Sequence, residues 1–314
     1  MTNIIQRFIA FLLVLCIPIF AIAGCTNNDV ANAANQVTTN ANGAYSIDTK
    51  TTTPEGKLDV YMLDIGQGDA ILLKVDDEYS MIDTGDIEHR ENIVAQLKTM
   101  GVTKLKNIII THPHADHMGG FYAIAKAMPI EHVYDDGIAV DNNMYKTYEK
   151  WIEKNKIQRT TLRSGDVVDF GHGAVFVVYA PWVEPLTDKK GEIDLNNNSI
   201  VGKLIFGKFS MLFTGDAEWQ EEKKIIKEQN SRLFARILKV GHHGSRTSSS
   251  EDFLKSIKPE SALISNGMYN KYGHPHDVTL RRLQENNIAI YRTDTMGRIH
   301  ISTDGNEWQI TTER

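Results

Sequence analysis

Thr111-His112-Pro113-His114-Ala115-Asp116-His117-Met118-Gly119-Gly120 follows directly on the apolar run Ile108-Ile109-Ile110. An extended apolar run reads as a buried strand, so the polar cluster lies on the loop leaving that strand. Three histidines and an aspartate fall within residues 112–117. Imidazole and carboxylate are the donors that borderline divalent metals such as zinc prefer. Four of them on one tight loop have little reason to crowd together unless a cation gathers them. On an extended chain, alternate residues point to opposite sides. His112 and His114 are thus expected to share one metal, while Asp116 and His117 turn toward a second.

The pattern around this loop alternates strands with helices. Strands are expected at 58–63, 70–75, 79–82, 107–111, 174–180, 200–206, 209–214, 235–240 and 261–265, with two or three more at the end of the chain. Helices are expected at 92–100, near 120–127, and at 142–155, 218–228, 251–257 and 278–286. No regular repeat and no second linker interrupt this stretch. It reads as one α/β domain over 57–314, built from two similar halves.

Three further loops follow apolar strands and carry the right chemistry. Leu212-Phe213-Thr214-Gly215-Asp216 ends a strand before a helix, where an aspartate on its own reads as a helix N-cap. Lys239-Val240-Gly241-His242-His243-Gly244-Ser245 sets two histidines between glycines. Tyr272-Gly273-His274-Pro275-His276 is either a surface turn or a loop whose His274 faces a substrate.

Composition bounds the setting. The chain has 314 residues, 41% hydrophobic and 24% charged, with a net charge of −6. That is ordinary for a globular protein with a sizeable core. A mildly acidic body argues against bulk-charge binding of nucleic acid, though not against a local basic groove. Cys16 and Cys25 are the only cysteines, so any metal site must use His, Asp and Glu. Arg7 precedes the apolar stretch Phe8 to Gly24, which ends Ala21-Ile22-Ala23-Gly24-Cys25. The pattern reads as a secretory signal over 1–24. Its end resembles the lipobox of bacterial lipoproteins, which implies lipidation of Cys25 and anchoring at the outer face of the cytoplasmic membrane. Residues 25–56 are rich in Asn, Thr and Ala with few large apolar side chains, and read as a disordered tether.

Several motifs narrow the reading. Tyr61-Met62-Leu63-Asp64-Ile65-Gly66-Gln67-Gly68-Asp69-Ala70, Asp83-Thr84-Gly85, Asn197-Asn198-Ser199-Ile200-Val201, Lys239 to Ser250, Tyr272 to His276 and Tyr291-Arg292-Thr293-Asp294 accompany the histidine loop. Together they resemble the metallo-β-lactamase domain of ComEC-type DNA-uptake proteins, from about residue 58 to 302. The resemblance implies an αββα sandwich with two divalent cations at the edge between its sheets, zinc first and manganese as the alternative. It makes His112, His114, Asp116 and His117 ligands, Asp216 the bridging carboxylate, and the His242-His243 pair the last ligand motif. The sequence does not choose within that pair; His243 is favoured, with His242 contacting substrate or a ligand. Asp69 and Asp83 are expected to hold ligand histidines or orient water. His274 is expected to meet the leaving group. Asn198, Ser199, Lys239 and Ser245 are candidate substrate contacts, as is Arg246.

One departure stands out. The family often places another histidine between the first loop and Asp216. His172 is a weak candidate on a hairpin turn, and Asn196 to Ser199 occupies a position where that ligand falls instead. The two metal positions are therefore expected to be unequal. The expected activity is hydrolysis of a phosphodiester, with DNA at the cell surface as substrate. A phosphodiesterase acting on envelope material such as teichoic-acid phosphocholine, and a non-catalytic DNA-binding component, are the alternatives. No feature calls for an obligate protein partner.

Overall fold

The computed structural model describes Pro54 and residues 56–314, together with the backbone of two short strands, β1 (Val37–Thr39) and β2 (Tyr45–Ile47), which pair antiparallel with each other. The signal segment 1–24, Cys25 and most of the tether 25–56 lie outside the described residues. Among the described residues, no helix is long and apolar enough to cross a membrane.

The first sheet uses β3 (Leu58–Met62), β4 (Ala70–Val75), β5 (Glu78–Thr84), β6 (Leu105–Ile109), β7 (Ile130–Asp135) and β8 (Gln158–Thr161). The second uses β9 (Val167–Gly171), β10 (Ala174–Ala180), β11 (Val201–Phe206), β12 (Phe209–Phe213), β13 (Ile237–Lys239), β14 (Ser261–Ile264) and β15 (Ala289–Arg292). The chain then returns to the first sheet through β16 (Ile299–Thr303) and β17 (Trp308–Thr312). The sheet orders are β17-β16-β3-β4-β5-β6-β7-β8 and β15-β14-β13-β12-β11-β10-β9. In each sheet one part is antiparallel and the other parallel. β5 to β8 run parallel in one, and β12 to β15 in the other.

Three apolar layers hold these sheets. Between the sheets, Leu58, Ile71, Leu73, Ile82 and Ile109 meet Phe176, Leu204, Phe206, Met211 and Phe213. The outer face of the first sheet, with Leu72, Met81 and Ile108, packs on α1 (Arg90–Thr99), α3 (Phe121–Ala127) and α4 (Asn143–Asn155). The outer face of the second, with Val177, Leu212 and Leu238, packs on α5 (Trp219–Gln229), α6 (Glu251–Ile257) and α7 (Asp277–Glu285). A short α2 (Ala115–Met118) precedes α3, and α8 (Thr293–Met296) follows β15. The order is helix, sheet, sheet, helix, as expected. It explains why β10 is apolar throughout and why β4 and β12 depart from that only at Lys74 and Ser210: both faces are covered. Each fully buried Leu, Ile or Phe side chain contributes roughly 1.5–3 kcal/mol.

Local signals set the element ends. Asn142 caps α4 by accepting a hydrogen bond from the Tyr145 N–H (2.8 Å), and Lys156 ends it in the left-handed region. Ser250 caps α6 by accepting from the Phe253 N–H (3.3 Å). The histidine loop differs from its expected form. Residues 115–118 are helical, so a helical turn rather than extended alternation aims Asp116 and His117.

Candidate metal centre

The loops after β5, β6, β12, β13 and β14 all leave the carboxyl ends of strands at one edge of the sandwich. Those after β6, β12 and β13 bring His112, His114, Asp116, His117, Asp216, His242 and His243 into one place. Among the described residues, three groups of donors are compact enough to hold a cation: Asp116, His117, Asp216 and His243; His112, His114 and Asp216; and the fully buried set Asp69, Asp83 and His117, whose members are already paired with one another or with Lys239. Asp216 belongs to the first two. Its Oδ1 lies 3.2 Å from His117 Nε2 and 3.6 Å from His243 Nε2. Its Oδ2 lies 3.8 Å from His112 Nε2 and 3.6 Å from His242 Nε2. One carboxylate thus divides two sets of imidazoles, one set at each oxygen.

The other ring nitrogens are held from behind. His117 Nδ1 donates to Asp83 Oδ2 at 2.8 Å. Asp83 also accepts from the Thr111 N–H (2.7 Å) and hydroxyl (2.8 Å). His243 Nδ1 donates to the Ser265 carbonyl at 2.9 Å. A proton on Nδ1 leaves the Nε2 lone pair facing the centre, the tautomer a metal ligand requires. His112 Nδ1 lies 3.1 Å from Thr111 Oγ1 and 3.3 Å from Ser199 Oγ, while its Nε2 is 3.0 Å from His114 Nδ1. His242 Nδ1 faces Glu218 Oε1 at 3.1 Å.

The donor set fits a pair of divalent cations. His117 Nε2, His243 Nε2 and Asp216 Oδ1 are buried and make no well-aligned hydrogen bond, only close approaches to one another and to Asp116. Such atoms are costly unless something binds them, and a cation is the partner common to all three. The charge balance agrees. Burial opposes ionisation of Asp216, yet His117 and His243 hold it well below the usual carboxylate range. Burial opposes protonation of His243, yet Asp216 and Asp69 push it up to about 10. Protons on those imidazoles are what a cation displaces on binding.

Backbone strain concentrates here. Asp83, His242 and His243 have φ of 57°, 48° and 52°. Non-glycine residues stay in the left-handed region when their surroundings over-determine them. At His242 and His243 the result is two successive imidazoles aimed at opposite oxygens of Asp216. His243 joins one cation-holding group, and His242 stands beside the one built on His112 and His114.

Other expected residues take different places. Asp69 and Asp83, each 1% exposed, are positioning residues behind the centre and do not reach its open side. Asp69 accepts an ion pair from Lys239 Nζ (2.6 Å), and its Oδ1 lies 3.4 Å from His243 Nδ1. Burial raises Asp69, but Lys239 and then His243 bring it down to about 2.

Lys239, Asn198, Ser199 and Ser245, expected to contact substrate, are all buried in other contacts. Lys239 is the counter-ion of Asp69. Asn198 clamps the 186–198 loop by accepting from the Leu186 N–H and donating to the Leu186 and Asp194 carbonyls. Ser199 Oγ accepts from the Asp216 N–H (3.1 Å) beside His112. Ser245 Oγ contacts Thr247 Oγ1 and Thr247 N. His172 pairs with Asp76 on a β9–β10 turn and takes no part in the centre.

The open side is a cleft of about 330 Å³. Its walls include His114, Asp116, His274, Tyr272, Asn196 and Gln67. Burial and the neighbouring His243 and His242 bring His274 down to about 4, so it presents a neutral imidazole near pH 7. Sequence reading overlooked Gln67, Tyr272 and Glu218. Gln67 and Tyr272 sit within motifs that were noticed for their glycines and histidines.

Fold and donor set together define a metal-dependent hydrolase. The model of the metallo-beta-lactamase superfamily matches residues 63–267, and the chain belongs to that superfamily. Competence protein ComA of Neisseria gonorrhoeae is 29% identical over 247 residues, covering 78% of this chain and 32% of that protein. ComE operon protein 3 of Bacillus subtilis (strain 168) is 30% identical over 264 residues, covering 78% of this chain and 33% of that protein. The chain spans about a third of the length of these relatives. Among solved structures, the metallo-beta-lactamase fold protein YhfI from Bacillus subtilis is 10% identical, with a TM-score of 0.53. That match covers 77% of this chain and 99% of YhfI, a likeness of fold.

Proposed function

We propose that this chain is an exported phosphodiesterase that cleaves DNA at the cell surface, held there by lipid on Cys25. The observation that carries the hydrolytic reading is Asp216, whose two oxygens each face a separate set of imidazoles. DNA as substrate is supported by relatives named as competence proteins and by the motifs at 61–70 and 239–250.

Two divalent cations, when bound, supply an acidified water and neutralise the charge on a phosphate. His112, His114 and Asp216 would hold one, and Asp116, His117, Asp216 and His243 the other. Asp83, through His117, and Ser265, through His243, fix the ligand tautomers. Ser199 fixes Asp216 through its N–H. His274 and Asn196, on the open side, supply neutral hydrogen-bonding groups to the phosphate and the leaving oxygen.

The test is turnover by the full-length chain, purified in detergent and loaded with manganese or zinc. It should cleave single-stranded DNA and bis-p-nitrophenyl phosphate. Cleavage of the small diester without DNA points instead to an envelope substrate. DNA retention with no turnover of either points to a binding component. Full activity of His114→Ala would sink the metal mechanism.

A further inference from the structure

The loop 265–276 rises beside the cleft and carries two tyrosines that the centre does not use. Tyr269 is 97% exposed and Tyr272 is 51% exposed. Tyr272 lines the cleft, with its ring near-parallel to His274 (22° apart, centroids 5.7 Å). Lys271 Nζ stands 5.0 Å from the Tyr272 ring centroid. The loop is pinned rather than loose. Asn270 accepts from the Tyr272 and His274 N–H groups and donates to the Gly267 and His274 carbonyls.

A large ring held in water on a pinned loop adds nothing to the core. Beside an anion-binding centre, it offers a flat face to a planar group whose phosphate reaches the cleft. Residues 265–276 include no acidic residue and one lysine, so the approach favours an anion. Bases in a duplex are stacked inside and cannot offer a face, whereas those of a single strand can.

We propose that Tyr272, extended by Tyr269, is a base-stacking subsite that seats a single-stranded nucleic acid with one phosphate over the metal centre. The proposal rests on the nuclease reading and adds strand preference to it. Aromatic stacking contributes about 1–3 kcal/mol per base, so removing one ring weakens binding roughly tenfold.

The experiment measures KM and kcat of the full-length, manganese-loaded chain on oligothymidylate and on an abasic strand of equal length. The wild type should show a KM about tenfold lower for the base-bearing strand. Tyr272→Ala should erase that difference by raising only the oligothymidylate KM. Tyr272→Phe should keep it, and Tyr269→Ala should shift it less. Equal treatment of the two strands by the wild type, or a Tyr272→Ala loss of the same size on both, overturns the subsite. So does cleavage of a mixed-sequence duplex as readily as its single strand. If the wild type cleaves neither strand but turns over bis-p-nitrophenyl phosphate, the nuclease reading fails, and the subsite with it.

Discussion

Asp83→Asn changes one atom and should weaken one cation site. Asp83 Oδ1 accepts from the Thr111 N–H, and Oδ2 accepts from the Thr111 hydroxyl and His117 Nδ1. An asparagine has one acceptor oxygen and one NH2 in that space. If its oxygen stays on the Thr111 N–H, its NH2 faces His117 Nδ1, which must then accept. The ring proton moves to Nε2, the atom 3.2 Å from Asp216 Oδ1, and the ligand lone pair is lost. If the amide flips, NH2 meets the buried Thr111 N–H, which costs about 1–3 kcal/mol.

Loss of such an outer partner weakens metal affinity about 10- to 100-fold. The loss should fall on the position built from Asp116, His117 and His243, leaving the His112–His114 position nearly intact. Manganese titration followed by electron paramagnetic resonance resolves the two affinities. Asp59→Asn is the control, because Asp59 makes a similar 2.8 Å contact to His300, outside the centre. Unchanged affinity at both positions in Asp83→Asn would refute the tautomer argument.

Other consequences follow from buried groups. Lys239→Met strands the Asp69 carboxylate without its 2.6 Å partner and should cost roughly 3–5 kcal/mol in urea unfolding. Undiminished stability with a raised KM would restore Lys239 as a substrate contact. Burial pushes Glu222 up to about 7, although hydrogen bonds from Ser250 and Ser249 oppose the rise. A raised folded-state pKa gives stability that is full below the unfolded value near 4.5 and declines as pH climbs through about 7. The full decline is worth roughly 3 kcal/mol, and Glu222→Gln should flatten that slope in pH-dependent unfolding. Gly68 has φ 120°, and a Cβ there would sit 2.4 Å from the Asp116 carbonyl oxygen. Gly68→Ala should therefore break the Asp69 N–H to Asp116 O bond (3.0 Å) and displace Asp116. The shift should lower kcat on the small diester about 100-fold.

The legible parts of the sequence were those with a strong local signal. β4, β10 and β12 are apolar but for Lys74 and Ser210, and α4 and α6 begin at capping residues. β7, β8 and β9 were missed because their pattern is mixed: β8 reads Gln-Arg-Thr-Thr and is an edge strand. Its place is marked by Arg159, whose Nε donates to Asp135 Oδ2 at 2.6 Å. The donors on the histidine loop were legible from their types and spacing, and Asp216 only through the family resemblance, because alone it reads as a helix N-cap. Their aim was not, because it comes from α2 and from left-handed backbone at His242 and His243. The buried partners of Lys239 and Asn198 were not legible for another reason. A polar residue near a site reads as a contact until its distant partner is known, and Asp69 lies far from Lys239 in sequence.

The central claim is a centre for two cations that share Asp216. Native mass spectrometry of the full-length chain in detergent, titrated with manganese or zinc, counts them directly. The account predicts two cations in the wild type, one in His114→Ala, and loss of tight binding at both positions in Asp216→Ala. A wild type that saturates at one cation, or an Asp216→Ala variant that still takes up two, would contradict it.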